Sequence, residues 1–516
     1  MSTAEQTYPD KIDGAVLKIA GVVVLGAIMS ILDITVVNVA LPTFQRVFSD
    51  DPANPLAYST VAWTVTAYTL SLATVIPLTG WAADRFGTKR LYLTAVALFT
   101  AGSVLCAAAQ DINMLIGFRV LQGLGGGMLM PLGMTIMTRA AGPARMGRLM
   151  AILGVPMLLG PILGPILGGW LIENASWHWI FLINLPIGAL ALVYASIVLP
   201  KDAPVPAEKL DVVGLLLMSP GLALFLFGVS SLPVEDGDVT APRVWLSVLA
   251  GVVLIGLFVR HAFKPEHPLL DLRLFSNRNL TLAIVTMFLF ASAFFGGLLL
   301  VPTYFQEVRG ETTLAAGLLI APQGIGALLT MPIAGALTDR MPVGRIVPVG
   351  LVLIVIGMLG LTQLEADTSY TFIIGALFVM GLGMGATMMP IMTSALKTLR
   401  HHEVARGSTL LNITQQVASS VGVAVMSVVL TSHIKGSELA GPAMAGLRDS
   451  DVAARLGEQG MAAGLVQAAE AFADTYWVAW GLVLLTLVPA LMLPRKREVS
   501  HLTDDDENAA PPVILH

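Results

Sequence analysis

The sequence predicts an all-α polytopic membrane protein: fourteen transmembrane helices arranged 6+2+6, as two pseudo-symmetric six-helix bundles with two helices inserted between them. Three observations predict it. The 516 residues are 55% hydrophobic and only 12% charged, against roughly 25% charged in soluble domains, and mean hydropathy is +0.79. The apolar residues gather into fourteen runs of about 18 or more, the length a helix needs to cross a bilayer. Finally, one charged stretch is written twice. Gly80-Trp-Ala-Ala-Asp84-Arg85-Phe-Gly87-Thr-Lys89-Arg90 follows the second run, and a weaker copy, Gly335-Ala-Leu-Thr-Asp339-Arg340-Met-Pro342-Val-Gly344-Arg345, follows the tenth. A repeat offset by eight helices is most simply two six-helix units separated by two further helices, and such repeats are typical of secondary transporters.

The elements follow in order. Runs 15–40, 59–79, 91–109, 112–138, 147–172 and 178–199 form an N-terminal bundle over residues 1–199, preceded by a polar leader without a cleaved-signal pattern. Residues 200–279 hold the two inserted helices, 211–231 and 243–261, with their linkers. Runs 280–302, 314–338, 345–363, 370–396, 405–434 and 475–493 form a C-terminal bundle over residues 280–497. Its longest outer loop, 435–474, is Ala-rich and suits a short helical hairpin on the surface. The last run is flanked by Tyr476-Trp477 and by Arg495-Lys496-Arg497, and the polar tail 498–516 is expected to be disordered. With the N-terminus in the cytoplasm, twenty-two of the 29 Lys and Arg lie inside and six outside, with Arg119 deep within a helix. That bias orients the chain with both termini cytoplasmic.

Asp33 is the only carboxylate deep inside a predicted span and Arg119 the only deep base. Each lies about 7 residues, or roughly 10 Å at 1.5 Å per residue, from the outer end of its helix, so the two are placed to meet. A neighbouring guanidinium favours the ionised acid, and its withdrawal lets the acid take a proton. The pair therefore reads either as a static helix clamp or as a proton-coupling site. Gly160, Gly164 and Gly168 recur at i, i+4, the spacing that lets two helices approach closely, and Pro161 and Pro165 bend the same helix. In the Gly80–Arg90 stretch, Gly87 permits a tight turn and Asp84 is placed to pair with bases or a helix N-terminus. With Arg85 and Arg90, it makes a cytoplasmic latch. In the second copy Pro342 interrupts the pattern, so Asp339 and Arg340 are expected to contribute less.

Substrate contacts are expected from amides that need partners inside a span, Asn38, Gln122, Asn412, Gln415 and Gln416. Adaptable apolar side chains such as Met130, Met388 and Phe294 would join them. The single Cys106 forbids an intramolecular disulfide and reads as a packing residue. No Gly-x-x-x-x-Gly-Lys-Ser/Thr phosphate loop exists to use ATP, no His/Cys cluster suggests a metal, and Gly123–Gly127 lies within an apolar run with no strand before it. No enzyme, cofactor or nucleic-acid partner is expected.

Five stretches carry a resemblance to a known family. They are Leu32-Asp33-Ile-Thr-Val-Val-Asn38-Val-Ala-Leu-Pro42; Gly80–Arg90; Arg119-Val-Leu-Gln122-Gly123-Leu-Gly125; Gly160-Pro161-Ile-Leu-Gly164-Pro165-Ile-Leu-Gly168-Gly169; and Trp177-His-Trp179-Ile-Phe-Leu-Ile-Asn184-Leu-Pro186-Ile-Gly188. On these the chain resembles the major facilitator superfamily, in its fourteen-helix drug:proton antiporter branch (QacA/EmrB-like). The resemblance implies the major facilitator fold and alternating access powered by the proton motive force. It also implies proton coupling by Asp33 and Arg119, and a Gly-Pro run from Gly160 to Gly169 that marks exporters. The expected substrates are lipophilic or cationic amphipathic compounds, carried by a monomer across the cytoplasmic membrane of a bacterium. His178 stands where the family usually has Arg. The C-terminal half lacks the second membrane acid that some relatives tie to divalent cations, which favours lipophilic or monocationic substrates. A lipid or lipid-conjugate translocase is the alternative. A non-transporting sensor is disfavoured because only short tails are attached.

Overall fold

In the computed structural model, the described residues are 13–49, 56, 58–141, 145–200, 209–232, 235, 237–400, 403–447 and 450–496. The leader and the polar tail, and the expectations made of them, lie outside that set. The helices are α1 (Gly14–Val47), α2 (Tyr58–Phe86), α3 (Thr88–Ala107), α4 (Ile112–Ala141), α5 (Met146–Asn174), α6 (Trp179–Leu182), α7 (Asn184–Val198), α8 (Val212–Ser231), α9 (Pro242–Ala262), α10 (Arg278–Glu307), α11 (Thr313–Arg340), α12 (Val343–Leu361), α13 (Tyr370–Gly385), α14 (Met388–Lys397), α15 (Val404–Gly436), α16 (Ala440–Gly446) and α17 (Ser450–Leu491). Among the described residues thirteen segments are long and apolar enough to cross a membrane, α6 joining α7 and α13 joining α14. The 29-residue α5 is a further apolar helix.

Small residues decide how closely these helices pack. In α4, Gly123, Gly125 and Gly127 lie against the backbones of α2 and α3: a Cβ at Gly123 would sit 2.7 Å from the Tyr68 carbonyl, and one at Gly127 2.7 Å from that of Leu72. The glycine run is thus a helix-packing surface. α1–α7 pack among themselves and α10–α17 likewise. The two bundles meet mainly along α5–α11 and α2–α15, with α4–α15 and α5–α14 adding to the seam. The α8–α9 hairpin lies against α2 and α15, and Ser219 Oγ donates to the Thr74 carbonyl at 2.6 Å.

At the start of that hairpin Asp211 caps α8, accepting from Gly214 N at 2.8 Å, and it also meets His261 Nε2 at 2.8 Å and Leu269 N at 3.2 Å. Burial pushes its carboxyl up, but these hydrogen bonds outweigh burial and hold it below the usual carboxylate range. Its stabilisation is therefore present above about pH 4 and lost as pH falls through the lowered pKa. Asp211→Ala is expected to cost about 1–2 kcal/mol, read as a lower melting temperature in detergent at pH 7.

Two expectations need correction. The Gly80–Arg90 stretch, expected as a loop between the runs 59–79 and 91–109, is mostly helical: α2 continues to Phe86, and Gly87 alone (φ 83) makes the turn into α3. The matching turn after α11 uses Pro342 in extended geometry instead. Likewise α17 begins at Ser450, kinked at Gly457 (φ 68), where sequence placed its start at 475. The outer segment is too Ala- and Gly-rich to look like a span, yet Ala is the strongest helix former, and α16 folds back on α17. Tyr476 is consequently fully buried inside the bundle, and Trp477, 44% exposed, is the residue left at the surface.

Candidate functional site

Near the middle of the N-terminal bundle five helices contribute one buried polar network. Asp33 of α1 and Arg119 of α4 are 1% and 0% exposed. Arg119 Nη1 donates to Asp33 Oδ2 at 2.5 Å and to Gln122 Oε1 at 2.6 Å, while Arg119 Nε donates to the Thr64 carbonyl of α2 at 2.9 Å. Asp33 Oδ1 accepts from Gln122 Nε2 at 2.7 Å and from Asn184 Nδ2 of α7 at 3.3 Å. Both amides also reach Ser103 Oγ of α3, at 2.6 and 3.2 Å. Arg119 Nη2 has no hydrogen-bond partner, but the guanidinium carbon lies 4.0 Å from the centroid of the Tyr68 ring, whose π-face receives the charge.

Asp33 receives three donors and a counter-charge, which a buried carboxylate requires. Besides Asp33, Arg119 has the Thr64 carbonyl, Gln122 Oε1 and the Tyr68 ring.

Gln122, expected among the substrate contacts, belongs to this network: its amide is spent on Asp33, Arg119 and Ser103. An i, i+3 pair on one helix face shares its neighbours, so its three-residue spacing from Arg119 was the available signal. Asn184 was missed although the rule about amides inside spans applies to it equally. Ser103 carried no signal, because a hydroxyl inside a helix usually bonds its own backbone, and Thr64 and Tyr68 act through a backbone carbonyl and a ring face, which residue type does not announce.

The α5 glycines lie directly against the turns of α1 that bear Asp33. A Cβ at Gly160 would overlap Ile31, one at Gly164 would overlap Thr35, and one at Gly168 would sit 3.1 Å from Val36 Cγ1. Gly169 faces open space with nothing within 4 Å, and the side chains of Pro161 and Pro165 lie outside the described residues. Ile31 and Thr35 are branched at Cβ and cannot swing aside. Gly164→Ala is therefore expected to cost about 1–3 kcal/mol through overpacking and to depress transport, with Gly169→Ala near neutral in both melting temperature and flux.

At the end of the bundles where α2 and α11 terminate, the contacts reverse an expectation. Asp84 accepts from Arg139 Nη2 of α4 at 3.2 Å, within its own bundle. Asp339, from the weaker copy, crosses the seam: it accepts from Gly147 N at 2.8 Å and Arg148 Nε at 2.9 Å in the first turn of α5. There the free N–H groups and helix dipole favour an anion. Pro342 alters only the following turn and leaves Asp339 on the last turn of α11, so the degraded copy keeps a working acid. Gly80 contributes by closeness, its Cβ position lying 3.1 Å from Thr409 Oγ1 of α15. Arg85, Arg90 and Arg340 are exposed.

The expected substrate contacts fall in separate places. Asn412 of α15 donates to Met134 Sδ of α4 at 3.1 Å and to the Ser408 carbonyl at 2.8 Å, across the α4–α15 seam. Met130 lies one turn from Met134. Gln415 and Gln416, on the next turn of α15, are half-buried, and Gln415 Oε1 has no partner. Asn38 is exposed on α1, Met388 is buried in α14, and Phe294 lines a cavity inside the C-terminal bundle. Among the described residues no group of three His, Cys, Asp or Glu is placed to hold a metal.

The family model of the Major Facilitator Superfamily matches residues 23–423. The chain is 46% identical over 515 residues to a "Multidrug resistance protein B homolog" of Mycobacterium tuberculosis, covering 97% of this chain and 94% of that one. It is 30% identical over 431 residues to the multidrug export protein EmrB of Escherichia coli, covering 82% of each. Among solved structures, the human organic anion transporter MFSD10 superposes with a TM-score of 0.59 at 16% identity, covering 92% of this chain and all of that one. The proton:xylose symporter XylE does so with 0.59 at 15%, covering 93% and 96%. These two likenesses are of fold.

Proposed function

The chain belongs to the major facilitator superfamily and is a multi-pass membrane transporter related to multidrug efflux proteins, not an enzyme; from that premise we propose that it is a proton-driven exporter of lipophilic or cationic amphipathic compounds across the bacterial cytoplasmic membrane. The observation that carries this reading is the buried Asp33–Arg119 pair with its complete donor set, in the bundle whose seam is closed by Asp339. In this reading both termini lie in the cytoplasm, which the Lys and Arg distribution favours, and the Asp339 bonds to α5 join the two bundles on the cytoplasmic side.

Exchange runs through Asp33. A proton arriving from outside neutralises the acid and loosens its bond to Arg119. That slackens the turn of α1 packed on the α5 glycines, and the bundles rock until the Asp339 latch opens inward. Substrate binding in the seam, beside Asn412, Gln415, Gln416 and Met130, with Asn38 on α1 as a separate contact, favours release of the proton to the cytoplasm and return. The relatives named for multidrug resistance and export support small-molecule substrates. The proton motive force is the sole power source, the working unit is one chain in its lipid, and no cofactor or nucleic acid takes part.

The test is proton release from acidified inverted vesicles containing the protein, on addition of rhodamine 6G, ethidium or tetraphenylphosphonium. Release dependent on drug is the expected result. Vesicles that respond to none of a broad set of drugs would sink drug export and move the lipid translocase ahead.

A further inference from the structure

The α8–α9 pair stands outside both repeats, so neither bundle needs it to complete its six helices. It is rigid in itself. A Cβ at Gly228 of α8 would sit 2.8 Å from Val248 N of α9, and one at Gly251 of α9 2.5 Å from Phe225 N, so the two backbones touch where side chains are missing. Asp211 fastens the start of α8 to the end of α9 through His261.

The two helices beneath this hairpin hold it differently. On α2, Ser219 Oγ donates to the Thr74 carbonyl at 2.6 Å, and Phe227 stacks on Trp63 with ring centroids 5.5 Å apart. The Arg243 guanidinium lies over both rings, 5.1 Å from Phe227 and 5.9 Å from Trp63. Such contacts are directional, and a hydrogen bond is lost on a shift of about 1 Å. Against α15 the hairpin lays apolar surface. Ile413 joins Leu222, Leu226 and Phe258 in one buried cluster, and the outer turn meets Val428, whose Cγ1 would lie 3.0 Å from a Cβ at Gly237. Apolar contact has no preferred direction, so these side chains can slide past one another.

The cover is also long. It runs along α2 from Trp63 to Ile76 and along α15 from Ile413 to Val428. That is roughly 20 Å of each helix at 1.5 Å per residue, most of a hydrocarbon core about 30 Å thick. The opposite seam, α5–α11, has no such cover among the described residues, and Leu329 and Ile333 of α11 are 55% and 61% exposed.

We propose that the α8–α9 hairpin is a shutter: it rides with the N-terminal bundle and slides over α15, so that the α2–α15 seam stays closed to the bilayer while the bundles rock. The shutter rests on the export reading, which supplies the rocking. Lipid is thereby kept out of one side of the substrate path, and a lipophilic molecule passing between bilayer and seam has to use the α5–α11 side.

The experiment is double electron–electron resonance on the full chain in nanodiscs. Nitroxides are placed in pairs on three exposed sites, Arg260→Cys on α9, Thr94→Cys on α3 and Arg345→Cys on α12. Native Cys106 is fully buried and stays unlabelled. The native acid is compared with Asp33→Asn, which mimics its neutral form. The Thr94–Arg345 distance reads the rocking and should shift between the two; the Arg260–Arg345 distance should shift with it, and the Arg260–Thr94 distance should stay. A second variant reads the need to slide. In Gly237→Cys with Val428→Cys the Cβ atoms would lie 3.8 Å apart, close to the mean separation in a disulfide, and oxidation should stop drug-dependent proton release until reductant is added. If the positive φ of Gly237 (83) makes that variant fold poorly, the label pairs decide alone. An Arg260–Thr94 distance that shifts, or an oxidised variant that releases protons as its reduced form does, overturns the shutter and leaves export standing. A Thr94–Arg345 distance that never changes also overturns the shutter, and if wild type gives no drug-dependent release, export falls with it.

Discussion

Asp33→Asn is expected to abolish drug-dependent proton release while the protein still folds, inserts and melts as a single species. The substitution is nearly isosteric and mimics the neutral acid. Its carbonyl oxygen can still accept from Arg119 Nη1, the 2.5 Å bond of the native pair. The new amide would face donors at Gln122 Nε2 and Asn184 Nδ2. Asn184 can turn its own oxygen toward it, since its remaining bond is to Ser103 and a hydroxyl both donates and accepts. Arg119 keeps the Thr64 carbonyl, Gln122 Oε1 and the Tyr68 face. What is lost is the ionisable carboxyl that the coupling scheme requires at this place. Drug addition to acidified vesicles should then give no release above the protein-free baseline, with binding of rhodamine 6G retained. Release equal to wild type would make Asp33 a structural clamp and end the coupling scheme.

Arg119→Ala should do the greater structural damage. It removes a side chain with no exposed surface, strips the counter-charge from Asp33, and leaves the Thr64 carbonyl without its donor. Breaking a buried pair from one side costs about 3–5 kcal/mol, because the remaining charge has no partner. The expected result is a melting temperature lower by many degrees and poor recovery in mild detergent. The double substitution Asp33→Asn with Arg119→Ala removes the orphaned charge and should regain part of that loss, a coupling energy readable from the double-mutant cycle. Transport should stay absent in the double variant. Additive losses would mean that the two side chains do not depend on each other, contrary to their geometry.

Much of this protein could be read without coordinates, because in a bilayer the chain must satisfy its own backbone. Length and hydropathy therefore located the helices, whose starts agree within three residues in thirteen cases out of fourteen. Solitude identified the central pair: a single acid and a single base deep in the spans have few other partners to choose. The repeated charged stretch likewise marked the end of the bundles at which Asp339 crosses the seam. The segment from 450 to 474 escaped because its Ala and Gly residues favour a helix without supplying the hydropathy that announces a span.

Sequence by itself determined that the protein is a two-bundle membrane transporter with one candidate proton site, since composition, repeat and isolated charge are properties of the chain in order. Tertiary structure decided the rest. Only packing could assign Gln122 to the Asp33 network, add Ser103 and Asn184 to it, and aim the α5 glycines at the turns of α1 on either side of the acid. Only the approach of α11 to the first turn of α5 could show that Asp339, in the imperfect copy, bonds across the bundles. The physical reason is the same in each case. A side chain's type is written in the sequence, but its partner is set by which helix lies 3 Å away, and helices brought together by small residues leave only a weak periodic trace of who their neighbours are.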